Sequence, residues 1–293
     1  MLTIKSDNRM NPLISVITVC SNSERYIEET ILSMLEQTYH NFEYIIIDNV
    51  SKDKTLDIIK GYERCFDGRL KWISEPDKGI FDAMNKGIDL ASGSLIGILN
   101  SDDYYSSKTL ELAVEAFKNN INGNRLFVIL GNLCKVDINR TPLYILKANK
   151  LEIEERIDTS AFIIQPVSFV TRDVYKKVGN FNKSFKYAAD YDFFYRAFKL
   201  HKVDIIEIDA VLTYMRSGGA TDNLKNILFL AAEVFFVRKN KQPLIKNFLS
   251  SSHYFIVIFI KMLFKKLFGY RLLTNYYRKK DYLPSIVKKI AKI

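Results

Sequence analysis

Cysteine is scarce in this chain, and the three that occur, Cys20, Cys65 and Cys134, lie far apart. Their odd number and wide spacing exclude a disulfide framework and a Cys-based metal motif, and predict free thiols in a reducing compartment, with Cys20 and Cys134 in the core. Histidine is equally rare, at His40, His201 and His253, none of them at a strand end of the first half. That argues against a His-based metal site. No apolar run reaches the roughly 18–20 residues that span a bilayer, and the first residues lack the apolar segment of a secretion signal. No motif for an activated Ser or Cys nucleophile is present. No Gly-rich phosphate loop follows the first apolar run, which weighs against a nucleotidyltransferase.

Net positive charge is also missing from most of the chain, despite a net charge of +10 over 293 residues. From Arg238 onward there are fourteen Lys and Arg and a single acid, Asp281, so the preceding 237 residues carry a net charge of −3. Basicity confined to a tail argues against a nucleic-acid surface on the main body. What the body does have is core material: 48% hydrophobic residues, with 20 Phe and 17 Tyr.

Apolar runs alternate with amphipathic segments through the first hundred residues. Leu13 opens a β-branched strand that ends at Cys20, and 42–48 is a second strand that ends on Asp48. Residues 70–74 form a third, shorter one. Helices are predicted at about 24–37, with Ser21 and Glu24 as a capping box, at about 54–64, and from Gly79 to about Leu90. This alternation with short connections predicts βαβ units, a mostly parallel sheet and flanking helices. Further on, helices are expected at about 107–118, 173–178 and 187–197, and strands at 126–131, 143–146, 167–170, 203–208 and 211–215. Residues 149–160 are charged and carry no clear period.

The stretch Leu95-Ile96-Gly97-Ile98-Leu99-Asn100-Ser101-Asp102-Asp103 is an apolar strand that runs into two adjacent carboxylates. In open α/β sheets ligands bind beyond the carboxyl ends of the strands. Two acids placed there repel each other unless a cation lies between them and a third group, and a hard divalent cation binds phosphates as readily as carboxylates. The alternative is a solvated acidic turn. Ser21 with Asn22, the 48–51 stretch, and Asp102 with Asp103 give three successive polar strand ends, which should converge on one edge.

These residues resemble family 2 glycosyltransferases, the inverting enzymes of GT-A fold. The resemblance is carried by Ser15-Val16-Ile17-Thr18-Val19, by the strand ending at Asp48, by Glu75-Pro76-Asp77-Lys78-Gly79-Ile80-Phe81-Asp82-Ala83-Met84-Asn85, and by Asn100-Ser101-Asp102-Asp103. It continues through Gln165-Pro166, Gly179-Asn180-Phe181, Ala189-Asp190-Tyr191-Asp192 and Gly218-Gly219, and covers about 12–221. It implies transfer of a sugar from a nucleotide-diphosphate donor to an acceptor hydroxyl. It also implies Asp48 near the nucleobase, Asp102 near the ribose, Asp103 as ligand to Mn2+ or Mg2+, and Asp190 as general base. Two departures stand out: Asn49, where many relatives carry a second Asp, and Gln165, where some carry His. Asn49, Asp77, Asp82 and Asn85 are further donor-site candidates. For Asp82 with Asn85 the alternative is a solvated helix face, for Asp77 a plain turn, and for Asp190 a helix cap with Asp192 as the base. The Gly218-Gly219 loop is either a diphosphate lid or a turn.

Residues 1–221 are therefore expected to form the catalytic domain, with a nucleotide half at about 12–104 and an acceptor half at about 105–221. Residues 222–293 form a helical basic extension. Its apolar stretch 254–260, followed by Lys261, Lys265 and Lys266, has the make-up of an amphipathic helix that lies on an anionic membrane; the alternative is packing on the domain or on a partner chain. Membrane contact would suit a lipid-linked saccharide acceptor in surface polysaccharide synthesis, at the cytoplasmic face of the membrane. A non-catalytic nucleotide-sugar-binding module is the competing reading, and retention of Asp190 weighs against it.

Overall fold

The computed structural model describes residues 11–121, 123–159, 164–218 and 224–239. Strands β1 (Ile14–Cys20), β2 (Phe42–Asp48), β3 (Leu70–Ser74) and β4 (Leu95–Ile98) are mutually parallel in the order β3-β2-β1-β4. Every residue of β1, β2 and β4 is buried, as their β-branched runs require of a sheet covered on both faces. Helices α1 (Ile27–Leu35), α2 (Thr55–Tyr62) and α3 (Ile80–Leu90) make the crossovers. α3 lies close against β1, where a side chain at Gly87 would collide with Ile17.

One carboxylate inside this half is fully bonded. Glu43 on β2 accepts from Ser15 Oγ at 2.6 Å, Lys71 Nζ at 2.8 Å and Ser92 Oγ at 2.7 Å. Burial opposes its charge, but these hydrogen bonds win and hold its carboxyl down at about 2.

Beyond β4 the sheet becomes mixed. β8 (Ser168–Thr171) runs antiparallel to both β4 and β6 (Phe127–Val136), β9 (Asp204–Arg216) is parallel to β6, and β7 (Pro142–Leu146) forms a hairpin with β6. β5 (Tyr104–Tyr105) follows β4 in the chain yet pairs with β9, as Tyr104 opposite Tyr214. In a flat sheet β5 would stand four strand spacings, about 19 Å, from β4. A connection of a few residues containing a turn cannot reach that far, so the sheet curls back on itself. Register shifts at Gly131, Asn132 and Leu133 on β6 accommodate the bend.

The remaining described helices are α4 (Thr109–Asn120), α5 (Lys150–Arg156), α6 (Arg172–Val178), α7 (Ala189–Tyr195) and α8 (Leu224–Lys239). α7 runs on into a wider turn, Arg196–Leu200. The two strands expected at 203–208 and 211–215 are one continuous β9. The charged stretch near 149–160 holds α5, capped by Asn149 Oδ1 accepting from Glu152 N at 2.9 Å. The capping box at Ser21 does not form: Glu24 Oε2 instead accepts from Lys54 N at 2.9 Å, and Asp53 Oδ2 returns the favour to Glu24 N at 3.0 Å. α8 falls at the start of the helical extension expected over 222–293, and Ala231, Val234 and Val237 on it are buried. The rest of the basic tail and Gly219 lie outside the described residues.

Candidate active site

The three polar strand ends meet. Parallel register sets Cys20 opposite Asp48 and Asp48 opposite Ser74. Loops then tie the ends together: Asn22 N donates to Ser51 Oγ at 2.8 Å, and the Ser23 and Ser101 hydroxyls lie 3.0 Å apart. Thr30 on α1 donates to the carbonyls of Ser101 at 3.0 Å and Asp103 at 2.7 Å. Val50, a β-branched residue, sits at φ 47° beside Asp48. Such residues rarely adopt that conformation, and backbone strain of this kind gathers at functional sites.

Asp48 is fully buried. Its Oδ2 accepts from Ser51 N at 3.0 Å and Ser74 Oγ at 2.6 Å, while Oδ1 accepts from the Ser51 hydroxyl and from Cys20 Sγ at 3.6 Å. It therefore holds the loop after β2 in shape, while Asp53 Oδ1 accepts from Thr55 N at 3.1 Å and from Thr55 Oγ1 at 2.6 Å at the start of α2. Asn49 Oδ1 accepts from Asp77 N at 3.1 Å, and Asp77 Oδ1 from Gly79 N at 2.8 Å. Gly79 takes φ +119°, which only glycine adopts readily, so this turn into α3 is shaped by Asn49, Asp77 and Gly79 together.

Asp82 and Asn85, one turn apart on α3, both reach the second half. Asp82 Oδ1 pairs with Lys183 Nζ at 2.9 Å, and that bond holds its carboxyl below the ordinary range. Asn85 donates to Phe181 O at 2.9 Å and accepts from Phe181 N at 3.0 Å. Both ends of this buried amide are thereby engaged, and Asn85 ties α3 to the loop that leads towards α7 instead of offering its amide to a ligand. Gln165 joins the halves as well, donating to Ile98 O at 2.9 Å.

Asp103 is 2% exposed. Its Oδ1 accepts from Arg216 N and its Oδ2 from Asn100 Nδ2, each at 3.0 Å. Burial and the adjacent Asp102 charge raise its pKa, and burial raises that of Asp102 as well. Two cations oppose this, Lys135 on β6 and Arg216 at the end of β9. Reading the sequence did not single out either one. A lysine in an otherwise apolar strand was the available clue to Lys135, and Arg216 is brought in only by the β5–β9 pairing. The Arg216 guanidinium lies over the Tyr26 ring at 4.5 Å and bonds Glu29.

Among the described residues no group of three or more His, Cys, Asp or Glu could hold a metal ion. The donor set at Asp103 still fits one. Two raised carboxylates lie beside Asn100 Oδ1, a buried oxygen without a hydrogen-bond partner. Mg2+-type ions are commonly held by one or two carboxylates and completed by substrate phosphates.

Asp190 lies in the first turn of α7, half-buried, with Oδ1 accepting from Tyr191 N at 2.7 Å. Burial, helped by the nearby Glu233 charge, pushes its carboxyl up to about 6. Asp192 is ion-paired to Arg196 at 2.8 Å.

Comparison with known proteins gives a consistent picture. The family described as glycosyl transferase family 2 matches residues 15–179. An uncharacterized glycosyltransferase of Rickettsia typhi is 29% identical over 202 residues, 67% of this chain and 62% of that protein, so the match spans less than two thirds of the relative. A putative teichuronic acid biosynthesis glycosyltransferase of Bacillus subtilis, TuaG, is 39% identical over 105 residues, 36% of this chain and 41% of that one. The solved mannosyltransferase PcManGT from Pyrobaculum calidifontis, in complex with GDP-Man and Mn2+, shares the fold with a TM-score of 0.54 at 15% identity, over 92% of this chain and 84% of that one.

Proposed function

The chain belongs to glycosyl transferase family 2, with the GT-A fold, and we propose that it moves a sugar, with inversion, from a nucleotide-diphosphate donor to an acceptor hydroxyl. The observation that carries this is the Asp102–Asp103 pair, Asp103 buried and Asp102 half-buried, at the meeting point of β1, β2 and β4, with Lys135 and Arg216 beside it. Repelling acids flanked by cations suit a ligand that is itself a metal-bound anion.

In this reading the loops shaped by Asp48, Asn49 and Asp77 cradle the nucleoside, and Asp102 receives the ribose. Asp82 and Asn85 brace the donor side against the second half. Asp103, with Asn100 beside it, would hold the divalent cation, which supplies charge neutralisation for the departing diphosphate; the Mn2+ bound by PcManGT supports that choice. Lys135 and Arg216 offset part of the cost of charge that burial imposes on Asp102, and Lys135 does the same for Asp103. Asp190 takes the proton from the acceptor hydroxyl as its oxygen bonds to the anomeric carbon, and the sugar–phosphate bond breaks on the opposite side. No covalent sugar–enzyme intermediate is needed, so none of the three cysteines is called on.

The acceptor we propose is a lipid-linked saccharide of surface polysaccharide synthesis, met at the cytoplasmic face of an anionic membrane through the basic tail; the relation to TuaG supports the pathway class. The test is a panel of nucleotide sugars with Mn2+ or Mg2+ and lipid-linked acceptors, scored for nucleoside diphosphate release. Release from at least one donor, abolished by a chelator, is expected. A chain that binds donors and releases nothing with any acceptor would be a binding module.

A further inference from the structure

Resting on the reading of Asp190 as the base, we propose that Glu233 of α8 is its positioning residue, fixing the backbone from which Asp190 projects. α7 begins without a side-chain cap of its own, because Ala188 stands at the position where Ser, Thr or Asp would normally serve. The N–H groups entering the helix are met from a distant part of the chain. Glu233 Oε1 accepts from Lys186 N, and Glu233 Oε2 from Tyr187 N and Ala188 N, each at 2.8 Å. Charge-assisted bonds of this kind are short and directional. Ala188 is fully buried, so water cannot readily replace Glu233 at its N–H.

The same helix grips the segment on the far side of Asp190. Arg238 Nε donates to Tyr191 Oη at 2.6 Å, and that hydroxyl donates to Ile157 O at 2.6 Å. Tyr187 Oη donates to Asn226 Oδ1 at 2.9 Å. Residues 186–191 are thus pinned before and after Asp190 by one helix, and that helix lies outside the 15–179 span common to the family.

Among the described residues, the Glu233 charge also adds to burial in raising the Asp190 carboxyl. Other charged groups on the packed elements are engaged elsewhere. Asp192 pairs with Arg196 at 2.8 Å, Asp158 with Lys199 at 3.1 Å, and Arg238 bonds Tyr191.

Glu233→Gln keeps an acceptor oxygen and loses the charge; Glu233→Ala loses both. In the full chain, Gln should lower kcat on the order of tenfold and Ala on the order of 100-fold, the range expected when a reacting group is displaced slightly. The donor KM should stay unchanged in both. With the neighbouring negative charge gone, Asp190 ionises more readily, so the acidic limb of kcat should move to lower pH in Glu233→Gln. Wild-type kcat and an unmoved limb, with only the melting midpoint lowered, would overturn the proposal and leave Glu233 a structural cap. Should Glu233→Ala fail to fold, Glu233→Gln decides alone. Asp190→Asn in the same assay separates the two readings. If it turns over normally, the base assignment itself fails; if it is inactive while Glu233→Gln behaves as wild type, only the positioning role fails.

Discussion

A carboxyl held near pH 6 changes charge within the physiological range, and Asp190 is in that position. As a base it works only when ionised, so kcat should fall as pH drops through about 6 and level off above it. Asp190→Asn should lower kcat by roughly 10²–10⁴-fold with donor affinity unchanged; stopped-assay kinetics beside calorimetry would show both, and normal turnover would move the base elsewhere. The acids of this site were readable from the sequence because each ends an apolar strand or opens a helix. Their partners were not. Lys135 and Arg216 reach Asp102 through strands that pair only after the sheet curls. Asn85, likewise, shows its role only once Phe181, far along the chain, is found beside it.

Among the elements, β2 carries a prediction of its own. Because Glu43 is held at about 2, below its ordinary 4.5, its contribution to stability is complete above about 4.5 and lost as pH falls towards 2. Glu43→Gln should cost about 2 kcal/mol at neutral pH, the scale of hydrogen bonds to a charged group. That corresponds to a fall of about 4–8 °C in melting midpoint for a chain of this size. The gap from wild type should narrow as the scan is repeated at lower pH; a constant gap would mean lost packing, not lost charge. Long, strongly apolar strands such as β1 and β2 were legible to within a residue, since burial on both faces leaves little else they can be. β5 was invisible because two tyrosines carry no period, and α5 because Ile153 is its only buried residue. β9 read as two strands because Asp209-Ala210 looks like a break, yet it stays extended where the register with β6 shifts.

At the scale of the whole molecule, the two halves are joined across α3 and β4 by Asn85–Phe181, Asp82–Lys183 and Gln165–Ile98. Asp190 and Asp103 therefore belong to one packed body, and the sheet's curl brings β9 back beside the acid pair. Among the described residues no helix is long and apolar enough to cross a membrane. The thirteen bases after Arg238 predict instead that the full chain co-floats with anionic vesicles and not with neutral ones, at about 1 kcal/mol per basic residue near the surface. Salt should release it, and equal binding to both vesicle types would contradict a charge-driven contact. The proposed transfer stands or falls with a metal-bound diphosphate held at Asp103. The direct measurement is calorimetric titration of donor nucleotide into wild type, Asp103→Ala and Asp190→Asn, with and without Mn2+. Mn2+-dependent binding is expected in wild type and Asp190→Asn, and its loss in Asp103→Ala; unchanged, metal-dependent binding in Asp103→Ala would rule out Asp103 as the metal ligand.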